Sequence, residues 1–449
     1  MRFIVPSRSL RRGVALLALV VACRTTERPP AAVAAMAPDA QRIQHDIAFL
    51  ADDRLEGRET GMPGNDSAAA YLAQRYAALG LRALAVDTLR GECRVSPAPA
   101  SCRTFLQRFQ ARGVELAHAG KMDGVPTQNV VALIPGRDSM LRGEYVVIGA
   151  HFDHLGRSTA GAMDPEAKNA IRNGADDNAS GTAAVLELAR LFAARPTRRS
   201  LIFANFSGEE MGLLGSQWFV QHAPVALDSI SAMLNFDMVG RLREDRLIVY
   251  GVATATELAE LLDSANTAPR LAISAVGDGF GPSDHSSFYA RGIPVLHFFT
   301  DLHDDYHRAT DDSEKINSAG EARVVALAER VVRAIADRPA RLTAIRVAAA
   351  PSTSSSREGS SVYLGTIPDM STGDIPGLKL NGVRAGSPAD AGGLKAGDVI
   401  VQLGGAVVKD LYSYTDALYA HQPGEHVEIT YLRAGSRLST SVTLGKRGQ

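Results

Sequence analysis

Residues Ser200 to Ala223 read SLIFANFSGEEMGLLGSQWFVQHA. A nearly all-apolar run reaches a glycine and two adjacent glutamates, and a stretch with helical character follows. A continuous apolar strand leading into a helix is the repeating unit of a sheet covered on both faces. The same alternation extends in both directions. NVVALIP (129–135), YVVIGAH (145–151), ISAMLNFD (230–237), RLIVYGV (246–252) and IPVLHFFT (293–300) read as strands. GTAAVLELARLFAA (181–194), ATELAELLDSA (255–265) and residues 318–337 read as helices. The pattern predicts an α/β fold, a mainly parallel central sheet with helices on both faces. Near the start, DIAFLADDRLEG (46–57) and NDSAAAYLAQRYAALG (65–80) look helical. The second has Asn65 or Asp66 as cap, Leu72, Tyr76 and Leu79 on one face, and Gly80 as its stop.

The chain has 449 residues, 45% of them hydrophobic, and a formal charge of -1. That length suits a catalytic-sized domain plus a smaller one, and the balance excludes a disordered chain or a basic nucleic-acid binder. Arg2, Arg8, Arg11 and Arg12 precede GVALLALVVA (13–22), a run too short to span a membrane that reads as a secretory signal. Its end, VVAC, resembles the lipobox of bacterial lipoproteins, which implies removal of residues 1–22 and a lipid on Cys23. The expected address is then the bacterial cell envelope, periplasmic or outer face, with the membrane as a partner through Cys23. Residues 23–44, rich in proline and alanine, read as a tether. With Cys23 set aside, Cys93 and Cys102 form an even pair suited to an oxidising compartment. Closing so short a loop would stabilise the fold by roughly 2.7 kcal/mol in the chain-entropy treatment.

A compositional break at VAAAPSTSSSREGSS (347–361) separates a second unit. The domain expectation is a catalytic domain over 45–343, a linker over 344–360 and a small β-rich domain over 361–449. The last unit resembles a PDZ domain. VYLGTIPD (362–369) matches a carboxylate-binding loop, and VRAGSPADAGGLKAGDVIVQLGG (383–405) matches the segment carried by protease-associated PDZ domains of bacteria. The resemblance implies a peptide ligand that adds as a strand while backbone N–H groups hold its terminal carboxylate. The loop is less regular than the usual glycine-rich form, so a packing or spacer role is the alternative.

Open parallel sheets bind ligands beyond the carboxyl ends of their strands. The residues at those positions are His151 and Asp153, Glu209 and Glu210, Asp237, and a loop with His303, Tyr306 and His307. A further acidic pair, Asp176 and Asp177, stands in GADDNASG (174–181), where the helix after His151 begins. Imidazoles and carboxylates without thiolates are the donor set of a hard or borderline metal site. Even two histidines and three carboxylates drawn from these positions would exceed what one zinc ion takes. Two zinc ions would leave net positive charge for a hydroxide to neutralise, a water poised for hydrolysis. Such chemistry also needs a carboxylate to take and return a proton, so adjacent glutamates could divide the work.

HFD (151–153), GADDNASG, GEEMGLLGS (208–216), NFDMVGR (235–241), GPSDHSSF (281–288) and YHRATDD (306–312), in this order, resemble the co-catalytic di-zinc aminopeptidases of clan MH. The likeness spans about His45 to Asp337. It implies His151, Asp177, Glu210, Asp237 and His307 as ligands of two zinc ions, with Asp177 bridging; manganese or cobalt would suit the same donors. It also implies Glu209 as general base, Asp153 as the carboxylate that orients His151, and Tyr306 as an oxyanion donor. His154 and His303 are the nearest competing ligands, Asp176 braces or caps, and His285 and His297 read as structural. Residues 84–127 are too few for the insertion some relatives carry there, so a compact catalytic domain is expected.

The implied function is an exported metallo-aminopeptidase acting on peptides with a free N-terminus through a zinc-activated hydroxide. One alternative is a carboxypeptidase or glutaminyl cyclase with the same site. Another is a degenerate peptidase whose PDZ domain binds peptides.

Overall fold

A computed structural model describes residues 1–3, 36–87, 93, 99–112, 124–159, 161–164, 166–267, 270–277, 279, 281–345, 362–368, 377–383, 386–409 and 411–446. The signal segment, Cys23, most of the tether and nearly all of the 344–360 linker lie outside the described residues. No described helix is long and apolar enough to cross a membrane.

Among the described residues eleven strands precede the linker: β1 (Arg82–Ala83), β2 (Ala85–Val86), β3 (Arg103–Thr104), β4 (Leu106–Ala111), β5 (Val125–Ile134), β6 (Tyr145–His151), β7 (Ser200–Phe206), β8 (Ile230–Phe236), β9 (Arg246–Tyr250), β10 (Ala272–Val276) and β11 (Val295–Phe299). The main sheet runs β1-β5-β7-β6-β8-β11-β9-β10, with β4 also pairing β5. Its centre, β7-β6-β8-β11, is parallel. Its flanks turn: β5 is antiparallel to β7, and β11 is antiparallel to β9. The sheet is therefore mixed, with the predicted parallel block at its heart. β2 and β3 form a separate ribbon beside the Cys93–Cys102 disulfide, whose Cα atoms are 5.5 Å apart.

Helices α1 (Ala40–Leu50), α2 (Pro63–Ala78), α3 (Gly181–Ala194), α4 (Leu214–Gln221), α5 (Leu258–Ala265), α6 (His285–Tyr289) and α7 (Ser318–Ala336) cover the sheet. α7 shows why: Val324, Val325, Ala328, Val331, Val332 and Ile335 recur at helical spacing and are all buried. Asn317 caps it, its Oδ1 accepting from the Gly320 N–H at 2.9 Å. The start of α2 differs from expectation. Pro63 occupies the first turn, where its missing N–H costs nothing, and Asn65 sits inside the helix. The Asn65 side chain is spent on tertiary contacts instead, donating to Arg58 O at 3.0 Å.

Glu321, in the first turns of α7, is fully buried, and neither carboxylate oxygen has a hydrogen-bond partner among the described residues. Burial holds its pKa well above the usual carboxylate range, and the charges of Asp176 and Asp46 add to this. The folded chain thus grips this proton more tightly than the unfolded chain. The stability it contributes is full below the unfolded pKa and is lost as pH rises through the folded one. Glu321→Gln should match the parent in acid and exceed it at higher pH, by about 1.4 kcal/mol for each pH unit inside that window. Urea unfolding of both proteins at pH 5 and pH 8 measures this; a gap that does not widen with pH contradicts it.

Beyond the linker, β12 (Val362–Tyr363), β13 (Thr366–Pro368), β14 (Leu378–Val383), β15 (Val399–Leu403), β16 (Ala406–Val407), β17 (His426–Arg433), β18 (Ser436–Thr443) and β19 (Gly445–Lys446) are joined by α8 (Pro388–Ala391) and α9 (Leu411–Tyr419). The order β13-β14-β15-β17-β18 is antiparallel throughout. Leu380, Ile400, Leu403, Ile429 and Tyr431 form its own core, closed by Tyr414, Ala417 and Leu418 of α9.

Candidate metal centre

The parallel block delivers the candidate residues. β6 ends on His151, β7 stops shortly before Glu209, β8 stops just before Asp237, and the loop after β11 carries His307. β7 and β8 lie on opposite sides of β6. The crevice at such a reversal is where open α/β sheets bind ligands.

Asp177 stands in the irregular turn Ala175–Ser180 that opens into α3. Gly174 makes that turn: its φ is +56°, and a Cβ added there would lie 2.0 Å from Asp177 O and 2.4 Å from His154 Cγ. Asp311 Oδ2 accepts from the N–H groups of Asp176 (2.9 Å) and Asp177 (3.1 Å). Asn178 then ties the turn to the end of β8, donating to Phe236 O at 2.9 Å and accepting from the Met238 N–H at 3.3 Å. Asp177 and Asp237 are held in register by this bridge.

The side chains converge. Asp177 Oδ1 lies 3.4 Å from His151 Nε2, and Asp237 Oδ1 also lies 3.4 Å from it. Asp177 Oδ2 lies 3.1 Å from His307 Nε2, with Glu210 Oε2 at 3.2 Å from the same nitrogen. Glu209 Oε2 is 3.9 Å from His151 Nε2. Donor atoms of His151, Glu209 and Asp237, and of His151, Asp177 and Glu210, form two groups, each within 4.8 Å. Asp153 lies beneath: its Oδ1 is 3.7 Å from His151 Nδ1 and accepts from the Glu209 N–H at 3.2 Å. Thr60 Oγ1 donates to its other oxygen at 3.0 Å.

The tautomers suit metal binding. His307 Nδ1 is 3.0 Å from the Gly161 carbonyl, and His151 Nδ1 is 3.2 Å from the Asp153 carbonyl. A carbonyl only accepts, so each Nδ1 carries a proton, which leaves each Nε2 as the nitrogen that would meet a cation once its own proton is given up. Asp237 Oδ1 is buried without a hydrogen-bond partner among the described residues. An orphaned carboxylate oxygen 3.4 Å from an imidazole nitrogen fits a divalent cation.

Electrostatics give the same answer. Burial pushes Asp177 and Glu210 up, but the imidazoles beside them prevail, holding Asp177 well below its usual range and Glu210 down at about 2. Burial opposes charge on His151 and His307, and the surrounding carboxylates outweigh it, raising both well above the usual imidazole value. Glu209 goes the other way: burial, opposed by His151 and reinforced by Glu210, Asp237 and Asp284, raises it well above the carboxylate range. The cluster balances itself with protons that bound cations replace.

His154, set aside in favour of His151 on sequence grounds, reaches the same cluster. Its Nδ1 is 2.7 Å from Glu210 Oε1, and its Nε2 is buried without a partner among the described residues. Its place directly after HFD was the available signal. His303 stays outside, its Nε2 3.1 Å from Asp176 Oδ2, while Asp176 Oδ1 accepts from the Gly240 N–H at 2.7 Å. Asp176 is thus a brace. His285 and His297 stack on each other at 4.3 Å, and burial pulls His297 down to about 4, which keeps it neutral. Tyr306 stacks on His307 with ring centroids 3.9 Å apart, and burial among the site carboxylates raises its hydroxyl well above its usual pKa.

Residues 129–332 match the model of peptidase family M28, and residues 358–444 match that of the PDZ domain. The chain therefore carries an M28 peptidase domain followed by a PDZ domain. A protein named "Probable leucine aminopeptidase" from Trichophyton verrucosum (strain HKI 0517) is 34% identical over 198 residues, 41% of this chain and 49% of that protein. Aminopeptidase YwaD of Bacillus subtilis (strain 168) is 26% identical over 219 residues, 46% of this chain and 45% of that protein. The chain spans less than half the length of these curated relatives. Among solved structures, a Zn-dependent exopeptidase from Parabacteroides distasonis ATCC 8503 superposes with a TM-score of 0.52 at 16% identity, covering 67% of this chain and 99% of that one. BSAP, a zinc aminopeptidase from Bacillus subtilis, gives 0.51 at 17% identity, covering 67% and 96%. The fold is that of the zinc aminopeptidases.

Proposed function

We propose that the chain is an exported metallo-aminopeptidase. In this reading it removes first residues from peptides, with two zinc ions held by His151, Asp177, Glu210, Asp237 and His307. The observation that carries it is Asp177, whose two oxygens face two different imidazoles, each with a second carboxylate beside it: Asp237 next to His151, and Glu210 next to His307. That arrangement supports a pair of ions sharing one carboxylate. Zinc bound there supplies Lewis acidity toward the scissile carbonyl and lowers the pKa of water entering the site.

The chain's own residues do the rest. Glu209 takes the proton from the attacking water and returns it to the leaving amine. Burial keeps its proton affinity high, which suits a base that must become an acid one step later. Asp153 keeps His151 and the Glu209 backbone in place. Burial among the site carboxylates keeps the Tyr306 hydroxyl protonated, so that it can donate a hydrogen bond to the developing oxyanion. Export and lipid attachment at Cys23 draw support from the leader-like N-terminus and from the Cys93–Cys102 disulfide. The PDZ domain would take a peptide as an added strand.

A panel of free-amine, N-blocked and N-terminal glutamine peptides tests the substrate end. Release from the free-amine peptides alone is expected. Cleavage of N-blocked peptides would move the assignment to a carboxypeptidase, and cyclisation of glutamine to a cyclase.

A further inference from the structure

Between α1 and α2 the chain makes a kinked turn, Asp53–Arg58, in which Glu56, Gly57 and Arg58 all have positive φ. A Cβ on Gly57 would lie 2.2 Å from Arg172 O and 2.8 Å from Gly156 Cα, so the segment is threaded tightly against the turn after β6. The kink aims Arg58 inward, where its side chain is fully buried. Its four hydrogen bonds among the described residues all go to carbonyls. Nε donates to Phe152 O at 2.7 Å, Nη1 to Leu50 O at 2.5 Å and Asn173 O at 2.6 Å, and Nη2 to Gly174 O at 3.0 Å.

Those acceptors have meaning in the sequence. Phe152 separates His151 from Asp153, and Asn173 and Gly174 lead directly into Asp176 and Asp177. One planar guanidinium therefore fastens the turn carrying one imidazole to the turn carrying the shared carboxylate. An ammonium, with three donors and no fixed plane, could not reproduce the fork. The same segment reaches the third turn as well. Asn65 Oδ1 accepts from Ser207 Oγ at 3.1 Å, just ahead of Glu209, and Thr60 holds Asp153. Arg58 also brings a permanent positive charge under the influence of the site carboxylates. Burial draws its pKa down to about 10 against the pull of Asp153, Asp177, Asp311 and Glu210, which leaves it charged at neutral pH.

We propose that Arg58 is a positioning residue of the metal centre, clamping the His151–Asp153 turn to the Asn173–Asp177 turn so that the donor atoms stand in place before a cation arrives. This rests on the metallopeptidase reading for its consequence but not for its geometry. The test uses full-length Arg58→Lys and Arg58→Met, with Arg58→Ala assayed with and without millimolar guanidinium. Zinc affinity is read by chelator competition, and amide hydrogen exchange is read on the metal-free proteins. The clamp predicts faster exchange confined to residues 151–154 and 174–178, and zinc affinity lowered about 10- to 100-fold in both the Lys and Met variants, the loss usual for residues that orient ligands. Guanidinium should restore much of the affinity of Arg58→Ala. Unchanged local exchange with unchanged affinity overturns it, as does Arg58→Lys behaving as wild type. If wild type itself binds no zinc, the metallopeptidase reading falls, and the exchange data alone decide the clamp.

Discussion

Glu209→Gln is expected to keep the fold and the zinc while lowering kcat by about two to four orders of magnitude, the range that a positioned general acid or base supplies. Gln keeps the volume and one carbonyl acceptor but cannot take up a proton. The geometry makes this a sharp experiment. Glu209 Oε2 lies 3.9 Å from His151 Nε2 and inside one of the two donor groups, so it stands close enough to be a ligand. The two roles separate in a single protein sample. A base leaves zinc content at the wild-type value with turnover lost, whereas a ligand loses zinc along with turnover. Unchanged activity would remove Glu209 from the mechanism altogether.

Asp177→Asn should have the larger effect on metal. The carboxylate contacts both imidazole positions, at 3.4 Å from His151 and 3.1 Å from His307, and an amide offers one weaker acceptor where two charged oxygens stood. Replacing an orienting residue costs roughly 10–100-fold in affinity, so loss of a shared ligand should exceed that range. Zinc per chain should fall from two to less than one, with peptidase activity at background. A variant that keeps both ions would show that the pair does not depend on this bridge. Because Asp177 also sits among hydrogen bonds to its backbone that Asn preserves, circular dichroism should stay unchanged.

Much of this site was legible in the sequence because polar residues interrupt apolar strands at fixed points. The whole of β7 and β8 is buried, so the first charged residue beyond each marks the edge of the sheet. The direction of the flanking strands was not legible. β5 is buried on both faces along most of its length, and an apolar run of that kind reads alike whichever way its neighbours point. Asn65 was misleading as a cap because its partners, Arg58, Thr127 and Ser207, are remote or outside the helix, and no local pattern reports them. Arg58 itself directly follows the stretch 46–57 that reads as helical. Only the fold shows that its charge points into the protein. His154 was legible in position but not in role, since two adjacent residues of an irregular turn, Asp153 and His154, face different parts of the cluster.

The most direct test of the central claim is the zinc content of the purified mature protein, measured together with release from aminoacyl-anilides before chelation, after it, and after zinc is returned. Two zinc ions per chain, release abolished by the chelator and restored by zinc, are the predicted result. A protein that takes up no zinc, or one that releases amines equally well without it, would contradict the account.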